Sequence, residues 1–165
     1  HHGNAILSRF PILRWENVDI SAHAFESRGL LHCELAVPNM AQPLHAICLN
    51  LALNVSGRRK QIQQLSERIR RMVPDDAPLI IAGDFNDWSN RAGRQLTRQL
   101  GLNEVFTRRD GGPVRSYPAA LPMFRLDRIY VRGFSVHHSE VHQGQPWSAI
   151  SDHAALSAYL KPHGA

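Results

Sequence analysis

The chain has 165 residues, of which 43% are hydrophobic and 20% charged; this composition excludes a disordered protein and suits a single domain over residues 1–165. Its apolar runs are only a few residues long, far below the roughly 20 that a membrane-spanning helix needs. The formal net charge of +5 favours anionic partners such as nucleic acid, phosphorylated ligands or lipid headgroups, although arginines that solvate one helix face would give the same charge.

Apolar periodicity predicts four strands and then a helix in the first half of the chain. The strand candidates are residues 4–8 ("NAILS"), 13–21 ("LRWENVDIS"), 30–37 ("LLHCELAV") and 43–53 ("PLHAICLNLAL"). Apolar residues spaced by three and four then follow, namely Ile62, Leu65, Ile69 and Met72. This period predicts a helix with Ser56 as its N-cap and Pro74 as its stop.

The second half of the chain alternates strands with one further helix. "APLIIAG" (77–83) predicts a buried strand, and residues 89–100 predict a helix that ends at Gly101. A long Gly- and Pro-rich loop covers residues 109–122, and three strands follow in "FRLDRIYVRG", "FSVHHSEVH" and "AALSAYL". Strands outnumber helices and are expected to be mostly antiparallel, so the sequence predicts a layered α+β sandwich with the helices outside.

The two cysteines, Cys33 and Cys48, each lie in an apolar strand-like segment. This setting predicts buried free thiols, the alternatives being a disulfide or a metal pair. Free thiols, together with the lack of a signal-peptide pattern, predict a reducing compartment and hence a cytoplasmic protein.

Three acidic clusters stand at the ends of separate apolar strands. They are "GDFND" (83–87), "RLDRIYV" with Asp127, and "SDHAAL" with Asp152 and His153. A carboxylate that faces the interior is costly unless it is paired, hydrogen-bonded or bound to a metal. Carboxylate oxygens suit Mg²⁺, a histidine can carry a proton near neutral pH, and Asn86 offers an uncharged N–H donor. Together these groups predict a hydrolytic site for a phosphate ester.

Each acidic or basic group also has a simpler structural interpretation on its own. These are a local turn for Asp84, a favourable charge at a helix start for Asp87, an ion pair with Arg125 or Arg128 for Asp127, and a hydrogen-bonded core position for His153. Trp147 would either line the substrate cleft or pack at its rim. The hydrolytic interpretation depends on the combination and order of the clusters.

The segments "IAGDFND", "LDRIYV" and "WSAISDHAAL" resemble the three C-terminal motifs of the endonuclease/exonuclease/phosphatase superfamily, and "GNAILSRFPI" and "RGLLHCEL" resemble its middle strands. Deoxyribonuclease I, abasic-site endonucleases, sphingomyelinases and inositol polyphosphate 5-phosphatases belong to that superfamily. The resemblance implies a four-layered sandwich of two β-sheets flanked by helices. It also implies a phosphoesterase or nuclease that uses Mg²⁺, or Mn²⁺ in its place, and an activated water.

The resemblance also implies a role for each motif residue. Asp84 would position or deprotonate the attacking water, and Asn86 would hold a phosphate oxygen. Asp152 would bind the metal, and His153 would contact the phosphate and act as an acid or base. Asp127 would accept a hydrogen bond from His153 and so favour the imidazolium.

Two substrate contacts are predicted outside these motifs. The resemblance implies a histidine in the strand before the first helix, but "CLNLAL" has Asn50 there, which can bind phosphate yet cannot carry a proton. The loop 108–124 is the expected specificity loop, and its Arg115 is predicted to bind the anionic substrate. Nucleic acid, a nucleotide and a phospholipid headgroup all remain open as substrates.

The chain begins beyond the family segment that carries an Asn and a metal-binding Glu, which implies an N-terminally incomplete domain lacking strands and a helix. We therefore expect this chain alone to be weak or inactive as a hydrolase. The alternative function is a catalytically impaired binding or scaffold module, or a fragment that needs the other segment. An uncovered sheet edge would then favour self-association.

Overall fold

A computed structural model describes residues 3–23, 25–88, 91–107 and 114–163 of the chain. The elements within these residues are β1 (Ile12–Asp19), β2 (Gly29–Leu35), β3 (Leu44–Asn50), α1 (Val55–Met72), β4 (Leu79–Asp84), α2 (Arg91–Leu100), β5 (Asn103–Glu104), β6 (Asp127–Arg132), β7 (Phe134–His142), α3 (Trp147–Ile150) and β8 (Ala155–Pro162). Most of them coincide with the predicted segments, and the mixed α+β class is confirmed.

Six strands form one sheet in the order β1-β2-β3-β4-β6-β5, and β7 pairs with β8 in a second sheet. Most neighbouring strands are antiparallel, as predicted, but β3 and β4 run parallel. The helix α1 between them explains the difference, because it carries the chain back to the end of the sheet from which β3 started. The carboxyl ends of β3 and β4 consequently lie side by side.

Two apolar clusters separate the layers. One lies between the large sheet and the helices and includes Leu49 and Ile81 from the sheet with Leu65 from α1. The other lies between the two sheets and includes Val131 and Phe134. The described residues therefore stack as helices, six-stranded sheet and two-stranded sheet.

In β2, which overlaps the predicted strand 30–37, side chains alternate between the two layers. Leu31, Cys33 and Leu35 face the second sheet, whereas Leu30 faces the helices. Cys33 and Cys48 are both free thiols, as predicted, but only Cys33 is buried and Cys48 is partly exposed. Within the described residues, no helix is long and apolar enough to cross a membrane.

Two local predictions were wrong. Residues 4–8 form no strand, and the Asn4 side chain instead donates a 2.7 Å hydrogen bond to the Gly29 carbonyl. The N-cap of α1 is Asn54 and not Ser56, because the Asn54 side chain accepts the Gly57 N–H at 2.7 Å and the Ser56 hydroxyl donates to that same oxygen. An asparagine is as good an N-cap as a serine, so both candidates satisfied the pattern.

Both predicted features that flank α2 are confirmed. Gly101 follows the last residue of the helix with φ of +62°, the left-handed conformation that ends many helices. The Asp87 carboxylate accepts the Gly93 N–H in the first turn at 3.3 Å, which is the helix-start role expected of it. Residues 89 and 90, where this helix was expected to begin, lie outside the described residues, as do residues 108–113 of the predicted loop.

The strand β1 is an edge strand of the described sheet, and Ile12, Leu13 and Trp15 expose much of their surface there. An exposed apolar edge is the feature from which self-association was predicted. That association stays a prediction.

Candidate active site

Three polar residues stand in a row where neighbouring strands end. Asn50 is the last residue of β3 and is in register with Asp84, the last residue of β4. Asp84 is in turn in register with Asp127, the first residue of β6. Polar groups from three segments that are distant in sequence therefore meet at one end of the sheet.

The backbone around Asp84 needs its particular sequence. Gly83 has φ of +147°, and a Cβ atom there would lie 1.9 Å from the Leu49 carbonyl oxygen, so only glycine fits. Asn86 has φ of +47°, a conformation that asparagine tolerates better than most residues. The Asn86 N–H donates to Asp84 Oδ1 at 2.8 Å, and this contact closes the turn.

The side chain of Asn86 is directed at the protein. Its amide nitrogen donates to the Leu51 carbonyl at 2.8 Å and to Asp84 Oδ2 at 3.0 Å, and the residue is buried. Both amide hydrogens are thus engaged, and a direct phosphate contact, as expected from the sequence, would require one of them to change partner. In this geometry Asn86 positions the Asp84 carboxylate.

Asp127 and His153 form a close pair, with His153 Nδ1 2.7 Å from Asp127 Oδ2. The Ser116 hydroxyl accepts the Asp127 N–H at 3.1 Å, and the Ser116 carbonyl accepts the Ala154 N–H at 2.7 Å. The Tyr117 ring packs on the imidazole with 4.8 Å between the ring centroids. Ser116 and Tyr117 therefore hold the pair together from the loop before β6.

The two titrating groups of the site are shifted in the same direction. Burial opposes the charged form of His153, but the hydrogen bond that its Nδ1–H donates to Asp127 and the negative charges of Asp127, Asp84 and Asp152 outweigh it, so its pKa is raised. Burial raises the pKa of Asp84, and the charge of Asp127 adds to this effect. The site thus favours an imidazolium beside a carboxylate that accepts a proton readily.

These residues surround one cleft of about 930 Å³. Its polar lining includes Arg28, Asn50, Asp84, Asn86, Asp152 and His153. The Asp152 side chain is exposed there, while its carbonyl accepts the Ala119 N–H at 2.7 Å. The structure therefore brings six of the seven residues predicted for the site together, counting Asp127 behind His153.

Arg28 is the residue that the sequence prediction missed. Its guanidinium donates to Asn50 Oδ1 and lies 3.8 Å from a Glu26 carboxylate oxygen. The available signal was its position directly before "GLLHCEL", because β2 begins at the end of the sheet where β3 stops. Arg28 places a permanent positive charge beside the amide that stands in the expected histidine position.

Two other candidates lie elsewhere. Arg115 is exposed and lines a separate cleft of about 910 Å³ together with Arg125. The Trp147 ring packs against His142 with 4.8 Å between the centroids, which is a packing role. The structure does not bring either residue to the cluster around His153.

The carboxylates of the cleft are the candidate ligands of the implied metal. Within the described residues, no group of three or more His, Cys, Asp or Glu side chains is arranged to hold an ion. Mg²⁺, however, is commonly held by one or two carboxylates together with water and substrate phosphate. The exposed Asp152 carboxylate in the cleft meets that smaller requirement.

Sequence comparison finds a family and close relatives. A model of the Endonuclease/Exonuclease/phosphatase family matches residues 1–153. The uncharacterized protein YbhP of Escherichia coli strain K12 is 43% identical over 160 residues, which cover 97% of this chain and 63% of YbhP. The chain thus spans less than two thirds of the length of this relative.

Solved structures share the fold. A mannosyl-6-phosphatase of Bacteroides thetaiotaomicron aligns with a TM-score of 0.73 at 16% identity, over 92% of this chain and 67% of that one. D. rerio TDP2, crystallised with a single-strand DNA product, aligns with a TM-score of 0.71 at 21% identity, over 93% of this chain and 69% of that one. These likenesses support the same layered arrangement of sheets and helices.

Proposed function

Because the chain belongs to the endonuclease/exonuclease/phosphatase family, we propose that its protein is a divalent-metal-dependent phosphoesterase or nuclease. The observation that carries the proposal is the 2.7 Å Asp127–His153 pair placed in one cleft with Asp84. A charged imidazole and a basic carboxylate on one cleft wall are the groups that phosphate-ester hydrolysis by water requires.

The described residues divide the reaction between them. The substrate phosphate lies between Arg28 and His153, whose positive charges offset the negative charge of the phosphoryl oxygens. Asp84 accepts a proton from the attacking water as the new oxygen–phosphorus bond forms. His153 donates its proton to the leaving oxygen as the old bond breaks, and Asp127 keeps the imidazole in the orientation and charge state for this step.

Asp152 would hold the metal ion together with water and substrate, and either Mg²⁺ or Mn²⁺ suits an oxygen donor. When bound, the ion supplies positive charge that stabilises the phosphoryl oxygens. Nucleic acid, nucleotides and phospholipid headgroups each present the phosphate ester that this site would bind.

The test is hydrolysis of bis-p-nitrophenyl phosphate by the protein expressed over its whole natural reading frame. We expect turnover that depends on Mg²⁺ or Mn²⁺, is abolished by a chelator, and falls by about 10²- to 10⁴-fold in Asp84→Asn and His153→Gln. Asp75→Asn, an exposed carboxylate at the opposite end of the sheet, is the matched control. Turnover that survives the chelator or both site variants would contradict the proposal.

A phosphate-binding module without turnover is the second candidate, and Asn50 favours it. An amide that accepts a hydrogen bond from Arg28 can bind phosphate but cannot transfer a proton. This candidate predicts that the protein binds a phosphodiester, that Arg28→Gln weakens the binding, and that the assay above gives no turnover with either metal.

A further inference from the structure

Large apolar side chains are exposed on the segments next to the cleft. They belong to the loop before β2, the connection from β3 to α1 with the first residue of that helix, the segment after β4 and the loop before β6, all of which emerge at the same end of the sheet. We name this set the apolar rim: Phe25, Leu53, Val55, Trp88, Leu121 and Met123. Their exposure ranges from 52% to 101%, so water covers at least half of each side chain.

Half of the rim lines the cleft, and Leu121 lines the neighbouring cleft that contains Arg115. The half that lines the cleft is Phe25, Leu53 and Trp88, and the Trp88 ring packs on Phe124 with 4.6 Å between the centroids. Phe124 follows Met123 in a hairpin. The N–H groups of both residues donate to the Tyr117 carbonyl and so close this hairpin. An apolar surface around a polar cleft is unusual in a water-facing enzyme and marks an interaction site.

The exposed charges next to the rim are mostly positive. On the elements that carry the rim, the exposed basic residues include Arg59, Lys60, Arg115 and Arg125, and the exposed carboxylates at this end include those of Asp19 and Asp152. Lys60 reaches the loop before β2, because its amine donates to the Ala22 carbonyl at 3.1 Å. The surface therefore combines exposed apolar groups with a net positive charge.

We propose that the apolar rim docks on an anionic lipid surface. Aliphatic side chains and a tryptophan that enter the interface, flanked by lysine and arginine that meet anionic headgroups, are the features that hold proteins at a bilayer surface. A single-stranded nucleic acid would instead require a series of aromatic platforms, and four of the six rim residues are aliphatic. One consequence rests on the proposed function, namely that the phosphate ester bound in the cleft would be that of a lipid headgroup.

The test is sedimentation of the protein with vesicles, which reads binding without hydrolysis. We expect binding to vesicles of phosphatidylcholine mixed with phosphatidylglycerol, and binding weaker by about tenfold or more to phosphatidylcholine alone. Leu53→Ser/Leu121→Ser should lose about tenfold in affinity for the mixed vesicles, and Arg59→Gln/Lys60→Gln should remove most of the preference for the anionic lipid.

The matched control is Ile12→Ser/Leu13→Ser, which alters two exposed apolar residues of β1 at the far end of that strand. This variant should bind vesicles like the unaltered protein, and far-ultraviolet circular dichroism should be the same for all variants. The proposal is overturned if the unaltered protein does not sediment with the mixed vesicles or if the control loses as much affinity as the rim variant. It is also overturned if the unaltered protein binds an oligothymidylate strand, the rim variant loses that binding, and neither protein binds vesicles. None of these outcomes depends on turnover, so the proposed function can fail separately.

Discussion

Two histidines with close polar partners sit in opposite electrostatic settings. In the cleft, His153 lies 2.7 Å from Asp127 and its pKa is raised. Beneath α1, His32 is buried, its Nε2 lies 2.9 Å from His45 Nδ1, and Arg68 Nε lies 3.3 Å from its Nδ1. Burial and the charge of Arg68 lower the pKa of His32 to about 4.

Burial opposes the charged form of both histidines, and the difference lies in the charged neighbour, which adds to the effect of burial at His32 and outweighs it at His153. Arginine can only donate, so His32 accepts at Nδ1 and carries its hydrogen on Nε2, from which it donates to His45. A protonated His32 would place two donors against one another, whereas a protonated His153 places a donor against a carboxylate. The buried network is therefore built for a neutral histidine and the cleft for a charged one.

The largest expected effect comes from making the cleft resemble the buried network. Asp127→Asn keeps a hydrogen-bonding group beside His153 but removes the negative charge that raises its pKa. We expect this pKa to fall, as measured by NMR titration in the metal-free protein. Phosphodiester hydrolysis should fall by about 10²- to 10⁴-fold, the range for loss of a positioned acid or base.

Ser139→Ala, an exchange on β7 and outside this cleft, is the control for Asp127→Asn. An unchanged titration of His153 in the Asp127→Asn protein would show that the carboxylate does not set the charge of the imidazole. The comparison between the two histidines would then lose its electrostatic basis.

The next effect concerns the buried network and acts on stability. The unfolded chain protonates His32 near pH 6.5, whereas the folded protein resists protonation until about pH 4. The stability that the folded protein gains from keeping His32 neutral should therefore be fully present above pH 6.5. It should be lost progressively as the pH falls from 6.5 to about 4. The loss should reach at most about 3 kcal/mol, from 1.36 kcal/mol per pKa unit.

His32→Gln should make this acid loss smaller, because the amide can accept from Arg68 and donate to His45 but does not titrate. Urea unfolding between about pH 7 and about pH 4 measures the effect, with the unfolding free energies of the two proteins compared at each pH. Equal acid sensitivity of the two proteins would mean that His32 is not the group responsible.

The cleft was more predictable from sequence than the buried network. Asp84, Asp127 and His153 each stand in a short motif next to an apolar run, so each side chain was expected at the end of a strand. The network depends on Arg68 from α1 reaching His32 on β2, which are 36 residues apart. From sequence, the arginines of this helix were expected only to solvate one of its faces, and no local pattern indicates that Arg68 is buried.

Other differences have equally local causes. The inward direction of the Asn86 amide follows from a positive φ, which a motif does not reveal. The contact between Arg28 and Asn50 depends on the register of the β2–β3 hairpin, in which Leu30 is opposite Leu49. The parallel pairing of β3 and β4 was open to prediction, because a long helix between two strands is the usual parallel connection.

A smaller effect is expected when the cleft loses its arginine. Arg28→Gln removes a permanent charge beside Asn50 and leaves the Asp127–His153 pair intact. We expect kcat/KM for a phosphodiester to fall by about tenfold, in line with one hydrogen bond to a charged group. The fall should appear mainly in KM, which separates phosphate binding by Arg28 from proton transfer by His153. A change confined to kcat, or a change in the titration of His153, would contradict this division.

The smallest effect is expected from introducing a histidine that has both an arginine and a carboxylate as neighbours. In Asn50→His the new imidazole would meet Arg28, as His32 meets Arg68, and would also lie in register with Asp84, which is a carboxylate like the partner of His153. The two influences oppose one another, so its pKa should fall between those of His32 and His153. Turnover should rise by only a few-fold, because His153 already supplies the proton. NMR titration of the variant separates the influences directly: a pKa as low as that of His32 would assign control of this position to Arg28, and one as high as that of His153 would assign it to the carboxylates.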